Sequence, residues 1–265
     1  MSSLIYEPKG KAREYSPLAL NVYSGGCDHG CRYCYCAGIT HGKWNETPIP
    51  RDISGLAVEA RKASKQILMC FMGDPYCKAE LQYQQTRKAL QILHEARCSV
   101  AILTKGGTRC LQDGFLLLAW PGNRIKVGAT LTFVDEELSA KYEPGAATPQ
   151  DRLDALRILH DTGVQTWASI EPVIIPAESL AIIEASLPYV DAYKVGKWNH
   201  DEQAKQIDWA TFAKIAVEMI RAAGKKLYVK KDLREHLPAG YLLKNEMDQA
   251  ELTLPERPNS GTVAG

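Results

Sequence analysis

The fold of this chain is limited most by a repeated alternation of short apolar runs with segments of helical period. Seven runs rich in β-forming residues occupy 18–25, 66–73, 99–106, 125–132, 165–174, 192–195 and 226–229. Residues 82–96 and 149–163 lie between such runs and repeat apolar side chains at helical spacing. Strands that alternate with helices form a parallel sheet with right-handed crossovers, either doubly wound or curled into a barrel. The sequence therefore predicts an α/β fold whose chemistry lies at the carboxyl ends of the strands.

Each of the two helical segments is predicted to bury one face against this sheet. The apolar stripe of the first consists of Ala89, Leu90, Leu93 and Ala96, and that of the second of Leu153, Leu156, Ile158 and Leu159. The other faces are polar, so both helices are expected at the surface of the domain.

The length of 265 residues, with 45% hydrophobic and 24% charged residues, is enough for one large core without disulfide bonds. We expect residues 1–245 to form one domain. Residues 246–265 are expected to be a flexible tail, because 251–265 holds two prolines, two glycines and little apolar period.

Charge and hydropathy limit the partners and the cellular location that the sequence predicts. The 32 basic and 31 acidic residues give a formal net charge of +1, so any contact with nucleic acid must use a local basic patch. The sequence has no run of about 20 apolar residues and no secretory signal at its start, which predicts a cytoplasmic protein without a membrane partner. Thiols stay reduced there, and a tight group of cysteines then indicates a metal site or catalysis.

Such a group follows the first predicted strand, in the stretch GGCDHGCRYCYC that contains Cys27, Cys31, Cys34 and Cys36. Spacings of four and three residues let three thiolates surround one side of a compact centre, and the neighbouring glycines permit the tight turns that this requires. Three ligands on a four-iron cluster would leave one iron open. A structural zinc site that uses all four cysteines, or a disulfide, is the alternative interpretation.

The spacing C-x3-C-x-aromatic-C, formed by Cys27, Cys31, Tyr33 and Cys34, resembles the signature of the radical S-adenosylmethionine superfamily. The resemblance implies a partial (βα)6-type barrel with a short C-terminal extension and a [4Fe-4S] cluster on Cys27, Cys31 and Cys34. It also implies that S-adenosylmethionine binds the open iron and is cleaved to a 5'-deoxyadenosyl radical. Tyr33 would then lie near the adenine, and Cys36 would not be a ligand.

Four further stretches are similar to the branch that contains spore photoproduct lyase and DNA repair photolyase-like proteins. They are 72–80, 102–109, 129–156 and 169–176, and the third contains Glu143-Pro144-Gly145 followed by Arg152, which is typical of this branch.

Polar residues at the ends of predicted strands are the candidates for binding S-adenosylmethionine. Its ammonium needs an acceptor, its carboxylate a cation and its ribose polar groups. The resemblance implies that the turn at Gly73 and Asp74 contacts the amino group, Lys105 the carboxylate and Thr132 the ribose. The predicted cofactor-binding set is Tyr33, Gly73, Asp74, Lys105, Thr130, Thr132 and Glu171.

The residue that returns a hydrogen atom to the product does not stand where the resemblance would place it. Spore photoproduct lyase has a cysteine three residues before the matching aspartate, and Phe71 stands at that position here. Cys70 and Cys77 are the candidates. Cys77 is preferred, because it lies in a loop after the strand, whereas Cys70 would face the other side of a regular strand. Cys98 and Cys110 are expected to pack in the core.

The predicted substrate contacts are Lys197, Trp198 and Asn199, which follow the sixth strand, between Lys194 and His200. More basic residues, Lys225, Lys226, Lys230, Lys231 and Arg234, surround the seventh strand. Lysines beside an aromatic ring can bind a phosphate backbone and stack a base, although such a pattern also fits a solvated surface.

Three functions stay open at this point. The first is a radical S-adenosylmethionine enzyme that repairs or rearranges a pyrimidine base in DNA, with a nucleic acid and an electron donor such as flavodoxin or ferredoxin as partners. The second is the same chemistry on a peptide or a small metabolite. The third is a zinc-binding module without enzymatic activity.

Overall fold

A computed structural model describes residues 3–199 and 201–248 of the chain. His200 and the segment 249–265, which includes most of the tail expected from the sequence, lie outside the described residues. The strands of the described residues are β1 (Ile5–Tyr6), β2 (Leu18–Leu20), β3 (Tyr23–Ser24), β4 (Ile49–Pro50), β5 (Ile67–Met69), β6 (Val100–Thr104), β7 (Ile125–Thr130), β8 (Gln165–Ile170), β9 (Ala192–Val195) and β10 (Lys226–Val229).

Eight of these strands form one sheet, in the order β1-β2-β5-β6-β7-β8-β9-β10. β2 and β5 to β10 are parallel, and only β1 runs antiparallel to its neighbour β2. β3 and β4 form a separate antiparallel pair. The seven parallel strands coincide with the seven apolar runs, so the α/β fold expected from the sequence is confirmed. The sheet is open, with β1 and β10 as its edges.

The α-helices of the described residues are α1 (Cys36–Ile39), α2 (Leu56–Ala60), α3 (Glu80–Tyr83), α4 (Gln85–Glu95), α5 (Gly114–Leu118), α6 (Glu136–Tyr142), α7 (Pro149–Asp161), α8 (Pro176–Ser186), α9 (Trp209–Ala222) and α10 (Lys231–Arg234). Short 3-10 helices cover Gly10–Glu14, Gly107–Asp113, Pro121–Asn123, Glu202–Gln206 and Lys244–Glu246. None of the helices in residues 3–199 and 201–248 has the length and hydropathy needed to cross a membrane.

The two helices predicted from the sequence are α4 and α7, and their buried faces agree with the stripes except at one residue. Ile158 on α7 is 41% exposed, although the stripe placed it inside. It neighbours Leu159, which is buried, and successive residues of a helix point about 100° apart, so both could not face the sheet equally.

The indole ring of Trp167 on β8 packs in a buried cluster of side chains from the sheet. Ala19, Ala101 and Ala192, which come from three other strands, belong to the same cluster. Their small side chains leave room for the ring. The indole N–H donates to the carbonyl oxygen of Ile102 at 3.0 Å. Gly128 on β7 makes room for the ring, since a Cβ at that position would lie 2.4 Å from it.

Replacing Gly128 with alanine is therefore expected to lower the free energy of unfolding by about 1–3 kcal/mol, because neither the ring nor the backbone can move without disturbing the packed sheet. Gly114→Ala is the matched control, since no atom lies within 4 Å of the added methyl group and the residue begins α5. That change should leave stability unchanged or raise it slightly. Urea unfolding of both variants checks this, and equal stabilities would show that the packing around Trp167 is looser than described.

Candidate active site

A cavity of about 560 Å³ opens at the carboxyl ends of the parallel strands. This volume is in the range of sites that hold cofactors and small ligands. Of the residues predicted from the sequence, the cavity is lined by Cys27, Cys31, Tyr33, Cys34, Cys70, Gly73, Asp74, Lys105, Thr130, Glu171, Lys197, Trp198 and Asn199. These residues are dispersed over the chain, and the parallel sheet brings them together.

Two of the predicted residues do not line this cavity. Thr132 is fully buried, and its hydroxyl lies 3.5 Å from the carboxylate of Glu143. Cys77 is also fully buried and packs in the hydrophobic core. Cys70 does line the cavity, because β5 ends at Met69 and the alternation of a regular strand does not extend to the next residue. The geometry thus favours Cys70 over Cys77, the reverse of the order expected from the sequence.

The three cysteines of the signature are half-buried, free of disulfides and directed to one cavity. The buried thiol of Cys36 lines the same cavity, and its hydrogen bond to Cys34 lowers the pKa of Cys34 to about 6. Burial raises the pKa of Cys31 to about 11, and burial also raises that of Cys27. Cys34 is therefore the thiol that is most readily available as a thiolate.

A segment around Glu143 and Gly145 holds the cysteine loop in place. The backbone N–H of Gly145 donates to the carbonyl oxygen of His29 at 2.9 Å, and that of Arg32 donates to Tyr142 at 2.9 Å. A Cβ on Gly145 would lie 2.0 Å from the carbonyl oxygen of Asp28, so only glycine permits this approach. The motif that was typical of the branch thus packs directly against the loop that carries the cysteines.

Glu143 and Arg152 form a buried ion pair beneath this segment. A guanidinium nitrogen of Arg152 lies 2.6 Å from Glu143, and the same group donates to the carbonyl oxygens of Ala147 and Thr130 at 2.9 and 3.0 Å. Burial alone would raise the pKa of Glu143, but Arg152 and Lys105 hold it below its usual range. The hydroxyl of Tyr33 donates to Glu143, which fixes the Tyr33 ring in the wall of the cavity.

Lys105 supplies a positive charge next to the cysteines. Its ammonium lies 5.5 Å from the centre of the Tyr33 ring. Burial would lower its pKa, but Cys31 and Glu143 raise it above the usual value, so the side chain stays charged. A charged lysine at this position is suited to a carboxylate ligand.

The carboxylate of Asp74 is already used by the protein. Oδ1 accepts hydrogen bonds from the hydroxyl of Thr104 at 2.6 Å and the backbone N–H of Tyr76 at 2.8 Å, and Oδ2 accepts from the backbone N–H of Lys105 at 2.6 Å. Asp74 therefore shapes the turn. Gly73 has a φ of 76° and lines the cavity. Because it has no side chain, its backbone faces the cavity directly.

The cavity also has walls that the sequence did not point to. Lys9, Lys11 and Tyr15 come from the amino-terminal segment, Tyr35 lies between Cys34 and Cys36, and Trp44 follows the cysteine loop. The sequence did not predict that these lysines and aromatic residues line the cavity. Their positions depend on how distant segments of the chain pack together. Cys98 and Cys110 are buried, as expected.

Lys194 departs from the prediction that placed it among the lysines of the cavity mouth. It is 1% exposed and donates to the backbone carbonyls of Glu14 and Tyr15, both at 2.7 Å. It lies on β9, and its ammonium packs over the rings of Tyr15 and Trp167. Burial lowers its pKa well below the usual value.

Comparison with known proteins identifies the class. The Radical SAM superfamily matches residues 21–187, which is more than half of the chain. The chain belongs to this superfamily, in agreement with the resemblance seen in the cysteine spacing.

Relatives in sequence are uncharacterized proteins. One from Methanocaldococcus jannaschii is 28% identical over 159 residues, which cover 58% of this chain and 60% of that protein. One from Mycobacterium tuberculosis is 29% identical over 170 residues, which cover 58% of this chain and 49% of that protein. The matched region thus spans about half to three fifths of the length of these relatives.

Solved structures with the same fold include two enzymes. SuiB of Streptococcus suis bound to S-adenosylmethionine aligns with a TM-score of 0.63 at 14% identity, over 85% of this chain and 54% of SuiB. A spore photoproduct lyase variant aligns with a TM-score of 0.63 at 12% identity, over 81% of this chain and 76% of that one. At such low identities the likeness concerns the fold alone.

Membership of the superfamily gives this protein a [4Fe-4S] cluster and S-adenosylmethionine as cofactors. The donor set fits the cluster: the three thiols of the signature are free of disulfides and line one cavity, and the charged ammonium of Lys105 lies in the same cavity. Within the described residues, no three His, Cys, Asp or Glu side chains converge closely enough to hold a single ion.

Proposed function

We propose that this protein is a radical S-adenosylmethionine enzyme that acts on a nucleic-acid base, by repair of a pyrimidine lesion or by rearrangement of a modified pyrimidine. The bound cofactors would supply an electron and, from S-adenosylmethionine, a 5'-deoxyadenosyl radical. In this proposal Cys27, Cys31 and Cys34 hold the cluster, and the turn at Gly73 and the ammonium of Lys105 hold the amino acid part of the cofactor.

The observation that carries the choice of substrate is the charge of the cavity. Five lysines line it, against the two carboxylates of Asp74 and Glu171. They are Lys9, Lys11, Lys105, Lys197 and Lys230. Among the described residues, neither Lys9 nor Lys197 forms an ion pair with a carboxylate. A protein of net charge +1 thus concentrates positive charge at its active site, which favours a polyanionic ligand.

Aromatic side chains on the cavity wall support a planar substrate. The rings of Tyr35 and Phe71 lie 5.6 Å apart, and Trp44 and Trp198 line the same cavity. Bases stack on such rings at a gain of about 1–3 kcal/mol each, whatever their sequence. Phe71 stands where the resemblance has a cysteine, so hydrogen return would fall to Cys70, whose thiol burial keeps protonated by raising its pKa.

The walls would also limit the reach of a radical. An enclosed cavity keeps water away and holds the target hydrogen atom close to the site of radical formation. The large apolar part of the lining, which includes Ile39, Leu68 and Leu103, is suited to that task.

Binding of oligonucleotides to the cluster-loaded protein tests this proposal. We expect single-stranded DNA to be retained on filters at low salt and lost as salt rises, because lysines that contact phosphates release counterions. The variant Lys9→Met/Lys197→Met should weaken retention at least about tenfold, at roughly one kcal/mol per lost phosphate contact. Lys62→Met/Lys65→Met, with both lysines exposed on another surface, is the matched control. Retention that is independent of salt, or equal in both variants, would instead favour a peptide or a small metabolite.

A further inference from the structure

The end of the cavity that lies across β8, β9 and β10 contains a group of polar side chains, Tyr15, Glu171 and Lys230. The phenol of Tyr15 donates to Oε2 of Glu171 at 2.7 Å, and the ammonium of Lys230 contacts the same oxygen. All three residues line the cavity. Tyr15 and Lys230 lie outside residues 21–187, so the superfamily match does not include them.

Both contacts fall on one carboxylate oxygen. Among the described residues, no group donates a hydrogen bond to Oε1 of Glu171. A carboxylate held in the wall of a cavity with one oxygen occupied and the other available is an acceptor for a ligand. Burial, and then the charge of Glu171, raises the pKa of Tyr15 well above its usual value, so its phenol keeps the proton that it donates.

The ammonium of Lys230 offers a donor next to this acceptor. It has three N–H groups, of which one is given to Glu171, and it lies 3.8 Å from the centre of the Tyr15 ring. The side chain belongs to the cavity wall and is only 1% exposed, so protein atoms cover nearly all of it. Acceptor and donor therefore lie side by side.

The protein maintains this arrangement from several sides. The hydroxyl of Ser169 lies 3.0 Å from the oxygen of Tyr15 and donates to it, since the phenol proton is directed to Glu171. Lys194 holds the backbone carbonyl of Tyr15 at 2.7 Å. Gly196 leaves the required space, because a Cβ there would lie 2.8 Å from both the carboxylate carbon of Glu171 and Cδ of Lys230.

We propose that Oε1 of Glu171 and the ammonium of Lys230 read the edge of a cyclic amide or imide in the substrate, accepting from its N–H and donating to its adjacent carbonyl. A pyrimidine base with a protonated N3, such as thymine, presents this edge. Tyr15 is a positioning residue that keeps the acceptor in place. This inference rests on the proposed function and specifies which part of the substrate contacts the residues that follow β8 and β10.

The position in the sheet favours the substrate over the cofactor as the ligand. The cysteine loop, Gly73 and Lys105 lie at the β2, β5 and β6 side, whereas Glu171 and Lys230 follow β8 and β10. The predicted substrate residues Lys197 and Trp198 follow β9, between them. A ribose hydroxyl of S-adenosylmethionine could also donate to Oε1, so the experiment must separate the two sources.

The test compares binding of the dinucleotide d(TpT) with its N3-methylated form, by equilibrium dialysis against the protein loaded with cluster and S-adenosylmethionine. We expect methylation to weaken binding at least about tenfold, because a hydrogen bond to a charged acceptor is lost. Comparison of two ligands on the unchanged protein does not depend on the folding of a variant. Equal binding of the two dinucleotides would overturn the inference.

The variant Glu171→Gln tests whether Glu171 is the acceptor that methylation of the base deprives of its hydrogen bond. A neutral amide is a weaker acceptor, so the penalty for methylation should shrink severalfold while the affinity for S-adenosylmethionine stays within about twofold. Glu184→Gln, the same change on the exposed face of α8, should alter neither. Loss of affinity for S-adenosylmethionine in Glu171→Gln, or an unchanged methylation penalty, would contradict the inference.

If longer oligonucleotides bind but d(TpT) and its methylated form bind equally, the inference alone fails. If no nucleic acid binds, the proposed substrate fails with it.

Discussion

Replacing Cys31 with alanine is expected to reduce cleavage of S-adenosylmethionine to background, whereas Cys36→Ala keeps it within about tenfold of the parent protein. Cys31 is one of the three signature cysteines that line the cavity, and a cluster with only two cysteine ligands loses the geometry that leaves a single iron open. Cys36 also lines the cavity, but it is buried at the start of α1 and acts on Cys34 by a hydrogen bond, an outer contact that tunes a site without holding it. The measurement is 5'-deoxyadenosine formed after anaerobic reduction.

Iron and sulfide contents provide the control for that comparison. Cys36→Ala should keep about four of each per chain, and Cys31→Ala should lose most of both. Equal losses of cleavage and iron in the two variants would show that the ligand assignment is wrong.

The largest effect on stability is expected from Arg152→Met. The change leaves the carboxylate of Glu143 buried without its cation, which costs about 3–5 kcal/mol of unfolding free energy. The cysteine loop should loosen as well, since Tyr33 and Gly145 both depend on this segment. Urea unfolding of the anaerobic protein measures the loss.

The same helix offers a matched control. Arg157 forms an ion pair with Asp154 at 2.9 Å, but its side chain is 57% exposed. Arg157→Met should therefore cost less than about 1 kcal/mol. The double variant Glu143→Leu/Arg152→Met should recover part of the loss, because it leaves no uncompensated buried charge. A loss in Arg152→Met that is no larger than in Arg157→Met would contradict the role given to the buried pair.

The parallel sheet could be predicted from the sequence because apolar runs and helical periods are local signals. The seven runs correspond to β2 and β5 to β10, and α4 and α7 begin and end near the predicted boundaries. Five of these strands are shorter than their runs, since residues such as Gly73 and Thr132 lie in the loops beyond the sheet, whereas β9 and β10 match their runs. The side of β5 on which Cys70 lies could not be predicted, because the strand ends before it.

Residues of the candidate site that belong to one sequence motif could be predicted. Residues that come together from distant segments of the chain could not. Cys27, Cys31 and Cys34 share one loop, so the resemblance that their spacing carries could single them out from the sequence. Tyr15 and Lys230 are separated by more than two hundred residues, and no local pattern connects them. Their meeting depends on long-range packing, for example the buried Glu14, which accepts from the hydroxyl of Tyr228 at 2.7 Å and from the backbone N–H of Lys231 at 2.9 Å.

The placement of lysines illustrates the same limit. Lys194 and Lys197 are three residues apart, and the sequence assigned both to the cavity mouth. The first is buried on β9, and the second follows the end of that strand and lines the cavity. Composition and spacing do not distinguish these environments, because the deciding factor is the residue at which the strand ends.

The central claim is that three cysteines hold an iron–sulfur cluster whose open iron binds S-adenosylmethionine. Electron paramagnetic resonance of the anaerobically reconstituted and reduced protein, recorded with and without S-adenosylmethionine, tests this claim directly. We expect a cluster signal that changes shape when S-adenosylmethionine is added and that is absent from Cys31→Ala. A colourless protein with one zinc ion per chain, or a cluster signal that S-adenosylmethionine leaves unchanged, would contradict the claim.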